Sequence, residues 1–286
     1  MKNSATIWPA TSLQGTDRAI THYDEDGIVI IQGDARSLPL GDGSVDCIVT
    51  SPPYNVGMDY DGIGDTFSPD EYVSHARGWA YEMFRVLRDN RRLWLNVVPS
   101  ATYDDHERPA GWHSGRTKAP RFPLLDVWQG VLQQSGFNLV DIVAWTRVGN
   151  NSTAWGSYQS PASPNLRGDW EAIILACKGE YARATPDEWK GWKDDYGPWT
   201  PLVSTHWQFA PAPRNGHPAP FPLELPRRCI RLSTWPGETV LDPFAGSGTT
   251  LRAAYELGRK AIGQELSKSY CDLAAQRLAQ GVLEFG

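Results

Sequence analysis

The sequence predicts an α/β fold built on an open, mostly parallel, doubly wound sheet. Three observations predict it. Strand-like and helix-like segments alternate along the chain, the pattern of crossover-connected strands. The run Val45-Asp46-Cys47-Ile48-Val49-Thr50 reads as a buried strand and ends in Ser51-Pro52-Pro53-Tyr54. A second strand, Thr239-Val240-Leu241, runs into Asp242-Pro243-Phe244-Ala245-Gly246-Ser247-Gly248-Thr249-Thr250, a glycine-rich turn opening a helix. Both motifs fall at the carboxyl end of a strand, the edge where open α/β sheets bind ligands.

The elements follow in order. Ile28–Gln32 is a short apolar run ending at Gly33-Asp34-Ala35. Ser68-Pro69-Asp70-Glu71 combines a serine cap, a proline in the first turn and a glutamate at the capping-box position, so a helix starts there. Tyr72, Ala76, Trp79, Ala80, Met83, Phe84 and Leu87 then recur at helical spacing. Arg85, Arg88, Arg91 and Arg92 read as a helix end with a cationic last turn. Leu93–Val98 is the next strand, and residues 99–121, rich in Pro, Gly, His and charge, form a long loop of the kind that is usually functional or disordered. A helix over Leu124–Gln134 ends at Gly136, and strands follow at Leu139–Trp145 and Ala172–Ala176, separated by a polar, turn-rich stretch over 149–168. Residues 179–220 carry many Trp and Pro residues without periodicity and read as an irregular insertion. Regularity returns with a helix over Leu223–Leu232, the strand Thr239–Leu241, a helix from Thr249, a strand at Lys260–Gly263 and a last helix capped by Ser267.

Composition narrows the class. At 286 residues the chain suits one large domain or one with an elaborated insertion. Hydrophobic residues at 41% and charged residues at 21% are ordinary for a globular protein, and no apolar run reaches the length of a membrane span. Met1-Lys2-Asn3-Ser4-Ala5 lacks the apolar core of a signal peptide. The 4 cysteines, at 47, 177, 229 and 271, show no CxxC spacing, which argues against a disulfide framework or structural zinc and fits a reducing cytoplasm. His75, His106, His113 and His206 show no ligand spacing, so no metal is expected. The net charge of -6 is awkward for a nucleic-acid-binding protein, yet distribution outweighs total. His106, Arg108, His113, Arg116, Lys118 and Arg121 make one stretch locally basic.

Gly246 and Gly248 allow positive φ and a close approach of backbone to ligand, with amides at the following helix start facing it. The missing lysine after the second glycine excludes a P-loop, and the absent third glycine leaves the dinucleotide fingerprint incomplete. Alone, such a turn is as readily structural. Glu265, at the end of the next strand and about 20 residues further on, is where an acidic residue binds both hydroxyls of a ribose.

With these residues in place the chain resembles the amino-group DNA methyltransferases that use S-adenosylmethionine (SAM), of the β group, in which the catalytic motif precedes the cofactor loop. The resemblance implies a class I, Rossmann-like methyltransferase fold in circularly permuted order, which is plausible because the termini of such domains lie at the surface. It further implies one methyltransferase domain over 1–286, with a catalytic region at 28–98, target-recognition insertions at 99–121 and 149–205, and a cofactor region at 206–280. Asp242, Phe244, Gly246, Ser247, Gly248, Thr249 and Thr250 resemble the loop that binds the methionine part of SAM, and Glu265 its ribose-binding acid. His217, Pro218 and Phe221 resemble the segment packed over the methionine end, and Asp34 and Ala35 the contact with adenine. Ser51, Pro52, Pro53 and Tyr54 match the catalytic tetrapeptide.

The lone pair of an exocyclic amine is delocalised into its base, so acceptors that take its two protons make it nucleophilic. The resemblance assigns those roles to the Ser51 side chain and the Pro52 carbonyl, with Tyr54 stacking on a base flipped out of double-stranded DNA. Serine at the first position is typical of cytosine-N4 enzymes and Asp or Asn of adenine-N6 enzymes, so cytosine N4 is favoured with adenine N6 as the alternative. Cytosine-C5 chemistry needs a cysteine nucleophile, generally after proline, and none of these cysteines follows one. Arg116, Lys118 and Arg121 are expected to contact DNA. An inert nucleic-acid-binding module and an RNA or small-molecule methyltransferase are the rivals from other classes; a homodimer and a companion restriction endonuclease stay open as partners.

Overall fold

The computed structural model describes residues 20–60, 63–102, 121–148, 168–212 and 221–285. In chain order the elements are β1 (Ile20–Glu25), β2 (Ile28–Gln32), β3 (Val45–Thr50), the short pair β4 (Asp59–Tyr60) and β5 (Ile63–Gly64), α1 (Pro69–Val86), β6 (Leu87–Val97), β7 (Ala101–Thr102), β8 (Arg121–Phe122) and α2 (Leu124–Gln134). Then come β9 (Asn138–Arg147), β10 (Trp170–Lys178), β11 (His206–Phe209), α3 (Glu224–Arg231), β12 (Thr239–Asp242), α4 (Thr249–Glu256), β13 (Lys260–Glu265) and α5 (Lys268–Phe285).

Nine strands form one sheet in the order β1-β2-β13-β12-β3-β6-β10-β9-β11. Only β1 and β10 run against the rest, so the sheet is mostly parallel, as expected. Central strands are apolar on both sides because both faces are covered. On β2, Val29 and Ile31 join the core beneath α1 and α2, while Ile28 and Ile30 join the core beneath α3, α4 and α5. Leu93, Leu95 and Val97 of β6 pack on the first side and Trp94 on the second. This period of two, with helices on both faces, is the doubly wound arrangement.

The α1 start is built as its sequence implies. The Ser68 side chain takes the Glu71 N–H and the Glu71 carboxylate takes the Ser68 N–H at 2.9 Å, closing a capping box. Its end differs from expectation: the helix stops at Val86, and Leu87 already belongs to β6. Arg88–Arg91 bulge out of the pairing with β3, whose register jumps from Val45↔Leu87 to Cys47↔Arg92, with Asn90 at φ 60°. The arginines there serve one buried and one partly buried carboxylate. Arg88 and Arg91 bond to Asp46, and Arg91 and Arg183 to Glu238.

Two strands of the nine-stranded sheet were not anticipated from the sequence. β1 folds back on β2 through Asp26 (φ 53°) and Gly27 (φ 80°), a two-residue hairpin turn whose Asp-Gly pair is its sequence signature. β11 lies in the stretch read as irregular insertion and pairs with β9 at the sheet edge; four residues are too short for periodicity to register. Its Trp207 is buried and stacks on Trp94, with ring centroids 6.0 Å apart. The region 149–205, expected as a recognition insertion, contains β10, which sits between β6 and β9 inside the sheet.

All four cysteines are free and buried, and no group of three or more metal-ligating side chains occurs among the described residues. No helix among them is long and apolar enough to cross a membrane.

Candidate active site

The parallel register puts the carboxyl ends of β2, β13, β12, β3, β6 and β9 on one edge, where a cavity of about 830 Å³ opens. The two sequence motifs, far apart along the chain, meet because β12 and β3 are neighbours. Asp242, only 1% exposed, is the clasp between them. Its Oδ1 accepts the Thr50 hydroxyl at 2.7 Å and the Phe244 N–H at 3.1 Å, and its Oδ2 accepts the Thr250 hydroxyl at 2.7 Å. Burial pushes its carboxyl up to about 6, against the pull of those donors. Asp242, Gly248 and Thr250 lie behind the cavity wall, and Phe244, Gly246, Ser247 and Thr249 line it. The three residues set back from the wall shape the loop from behind. Gly248 caps α4 at φ 79°, and a Cβ there would stand 3.1 Å from that of Ala274 in α5.

Glu265 ends β13 at the cavity. Its Oε2 accepts the Gly246 N–H at 2.9 Å and its Oε1 the Ser267 N–H at 2.9 Å. Burial raises its carboxyl pKa, opposed by these N–H donors. Each oxygen keeps a lone pair for a hydroxyl donor, which fits a ribose diol. Asp34 and Ala35 line the cavity beside Glu265, following β2, whose neighbour Gly33 donates its N–H to the Glu265 carbonyl at 2.9 Å. The Arg36 backbone N–H and guanidinium bond to the Asp34 carboxylate; burial works upward on it, but these bonds win and hold it below the usual range. Phe221 also lines the cavity, while His217 and Pro218 lie outside the described residues. Four carboxylates (Asp34, Asp65, Glu171, Glu265) face the space against the guanidiniums of Arg36 and Arg147, a balance suited to a cationic sulfonium ligand. Volume, diol acceptor and charge all fit SAM.

Ser51, Pro52, Pro53 and Tyr54 all line the cavity. The turn is held from below: the Tyr72 hydroxyl donates to the Pro53 carbonyl at 2.7 Å and receives the Trp128 Nε1–H at 3.1 Å. From the side, Asn55 exchanges two bonds of 2.7 Å with the backbone of Phe67. Trp79 and Phe244 meet edge to face, centroids 5.1 Å apart, and close the apolar wall.

Three polar residues at the cavity received no role from the sequence. Asn96 (2% exposed) and Glu171 (8%) come from β6 and β10, and Arg147 from β9. Ser51 Oγ and Tyr54 Oη are 2.8 Å apart. Asn96 Nδ2 donates to Tyr54 Oη at 2.9 Å and to Glu171 Oε2 at 2.8 Å, the Tyr54 hydroxyl lies 3.2 Å from that same Oε2, and Arg147 Nη1 is 3.3 Å from Glu171 Oε1. Burial first, then the Glu171 charge, raise the Tyr54 hydroxyl well above its ordinary value, so it stays a donor. The available signal was a polar residue inside an apolar strand, Asn96 in Leu93–Val97 and Glu171 before Ala172, since burying such groups is costly without a use. Trp145 lines the cavity as well, whereas Trp192, Trp199 and Trp207 do not. Arg121 sits on β8 and bonds to Ser100 Oγ at 3.1 Å, next to the cavity rim; Arg116 and Lys118 lie outside the described residues.

Residues 45–276 match the N6/N4 DNA methylase family. The chain belongs to that family. Among its relatives, the type II methyltransferase M.Cfr9I of Citrobacter freundii is 32% identical over 272 residues, covering 88% of each chain. The DNA adenine methyltransferase YhdJ of Escherichia coli strain K12 is 27% identical over 281 residues, covering 90% of this chain and 85% of its own. Among solved structures, the DNA modification methylase TTHA0409 of Thermus thermophilus in complex with SAM superposes with a TM-score of 0.66 at 28% identity, over 87% of this methylase and 92% of that chain. The cytosine-N4-specific PvuII DNA methyltransferase shares the fold, with a TM-score of 0.63 at 20% identity over 87% and 86% of the two chains.

Proposed function

We propose that this chain, a SAM-dependent DNA methyltransferase, methylates the exocyclic N4 of cytosine in double-stranded DNA. The observation that carries the choice of base is Ser51, a neutral hydroxyl joined through Tyr54 to the buried carboxylate of Glu171. An acidic residue at position 51 would enter the same cluster as Glu171, and two carboxylates sharing one site resist joint ionisation. The cluster disfavours an aspartate there, and serine is the residue that the resemblance associates with cytosine N4.

In this reading the Ser51 hydroxyl and the Pro52 carbonyl accept the two amino protons and draw the nitrogen lone pair out of conjugation. Pro53 stiffens the turn, and the Tyr54 ring, its hydroxyl tied down, stacks on the flipped base. SAM supplies, when bound, an electrophilic methyl on a sulfonium. Glu265 holds the ribose, Asp34 and Ala35 flank the adenine, and Phe244, Gly246, Ser247, Thr249 and Phe221 surround the methionine end with His217 and Pro218. Catalysis then rests mainly on alignment of nucleophile and methyl. Target recognition is assigned to 99–121, with Arg116, Lys118 and Arg121, and to the segments flanking β10. The likeness to type II methyltransferases supports a companion endonuclease of the same specificity.

Transfer from labelled SAM to DNA, followed by nucleoside mass spectrometry, tests the reading. N4-methylcytosine is expected; N6-methyladenine, the activity named for the YhdJ relative, overturns the base assignment. Ser51→Ala should lower turnover about a hundredfold or more while leaving SAM affinity within about twofold, as expected for a group acting in the transition state. Unchanged turnover rejects its role.

A further inference from the structure

The assigned chemistry leaves one buried carboxylate at the cavity floor without a task. Glu171 bonds to three side chains from three different segments: Tyr54 after β3, Asn96 on β6 and Arg147 on β9. Its presence dictates how the cluster is protonated. An ionised carboxylate only accepts, so the single Tyr54 proton points to Glu171 Oε2 at 3.2 Å. Tyr54 Oη then has only lone pairs to offer Ser51 and receives the Ser51 proton across 2.8 Å. With its proton committed inward, Ser51 keeps its remaining lone-pair capacity for a donor arriving from the cavity. The Asn96 carbonyl competes at 3.3 Å for Ser51 and 3.4 Å for Tyr54, both longer than the path to the carboxylate.

We propose that Glu171 is the terminus of a hydroxyl relay, Ser51–Tyr54–Glu171, that makes Ser51 an acceptor and carries away the proton released by the methylated amine. The proposal rests on Ser51 being the amino-group acceptor. As the amino nitrogen bonds to the methyl carbon, the carbon–sulfur bond breaks and its electron pair stays on sulfur, leaving a thioether. The nitrogen now holds one proton too many. That proton passes to Ser51 Oγ, the Ser51 proton to Tyr54 Oη, and the Tyr54 proton to Glu171 Oε2. The products are a neutral methylamino group and a protonated Glu171, which returns its proton to solvent before the next turnover. Among the described residues, the titratable and charged groups that bond to Glu171 are Tyr54 and Arg147; Asn96 is neutral, and Arg147 keeps its charge throughout.

Glu171 is thus a positioning residue whose signature is a solvent deuterium isotope effect. Single-turnover methyl transfer to DNA by the full chain is measured in light and in heavy water. Glu171→Gln should be at least about tenfold slower and show a smaller isotope effect than wild type, a loss within the range of proton-transfer catalysis. Tyr54→Phe, which cuts the relay in the middle, should show a smaller isotope effect as well. SAM affinity and the unfolding midpoint are followed in parallel. A Glu171→Gln protein with wild-type rate and isotope effect overturns the relay, as does Tyr54→Phe with an unchanged isotope effect. The latter test stands even where Glu171→Gln fails to fold. Ser51→Ala separates the two layers: if it is inactive while Glu171→Gln is fully active, only the relay falls, whereas an active Ser51→Ala removes the amino-group assignment beneath it.

Discussion

Replacing Asp242 by Asn removes the ionisable group from the clasp between β3 and α4 while preserving its shape. The folded protein holds the Asp242 proton to about 6, against an ordinary value of 3.8, because burial disfavours the charged form more than Thr250, Thr50 and Phe244 stabilise it. A difference of about 2 pH units corresponds to about 3 kcal/mol between the protonation states. Its sign follows from proton linkage. Between about pH 4 and about pH 6 the folded chain binds more protons at this site than the unfolded chain, so stability falls as pH rises through that window and levels off above it. The contribution is therefore most favourable below the unfolded value and is lost as pH rises through the folded one. Asn has no such dependence. Urea unfolding of both proteins at about pH 4, 5, 6 and 7 should give a stability difference, wild type minus variant, that shrinks by about 2.4 kcal/mol across the series. The absolute offset depends on how well the Asn amide satisfies the two threonine hydroxyls, but the change with pH does not. A difference constant to within about 0.5 kcal/mol would refute the placement of a proton-retaining carboxylate in the clasp.

Glu265→Gln should weaken SAM binding about tenfold or more by titration calorimetry, since the bonds it loses are to a charged acceptor; unchanged affinity would remove it from the ribose site. Gly263→Ala would put a Cβ 2.8 Å from Leu251 Cδ2 and 2.9 Å from Ala245 Cβ, and should cost about 1–3 kcal/mol of stability in denaturant unfolding. Arg121→Gln should weaken DNA binding and reduce the slope of log affinity against log salt by about one unit, with SAM affinity unchanged; an unaltered slope would take Arg121 off the phosphate backbone.

Much of the fold was legible in the chain because its signals are local. Ser68-Pro69-Asp70-Glu71 carries its own cap, and α1 begins where that cap stands. The runs at 28–32, 45–50 and 239–241 are apolar on successive residues because both faces of those strands are covered, so they are strands by pattern alone. Misreadings occurred where tertiary contacts overrode local preference. Arg88 and Arg91 resemble a helix end, but the buried carboxylate of Asp46 and the partly buried one of Glu238 need cations, and that demand draws the segment into the sheet. β11 is a strand because β9 offers it an edge, and nothing within its four residues announces that.

The site divides along the same line. Ser51–Tyr54, the glycine loop and Glu265 were identifiable by sequence alone, since each occupies a strand end and owes its chemistry to a short contiguous motif. That these motifs form one cavity follows from the adjacency of β3, β12 and β13, which the order of elements along the chain does not specify. Asp242 illustrates the boundary: its motif is local, but only packing decides that its carboxylate binds Thr50 and Thr250. Asn96, Arg147 and Glu171 come from three strands and share no motif; only the pairing of β10 between β6 and β9 brings their side chains onto one face beside Ser51. Sequence by itself determined the fold class and the family, because those depend on residue type and spacing. Tertiary structure decided which charges surround Ser51, because electrostatics acts through space and not along the chain.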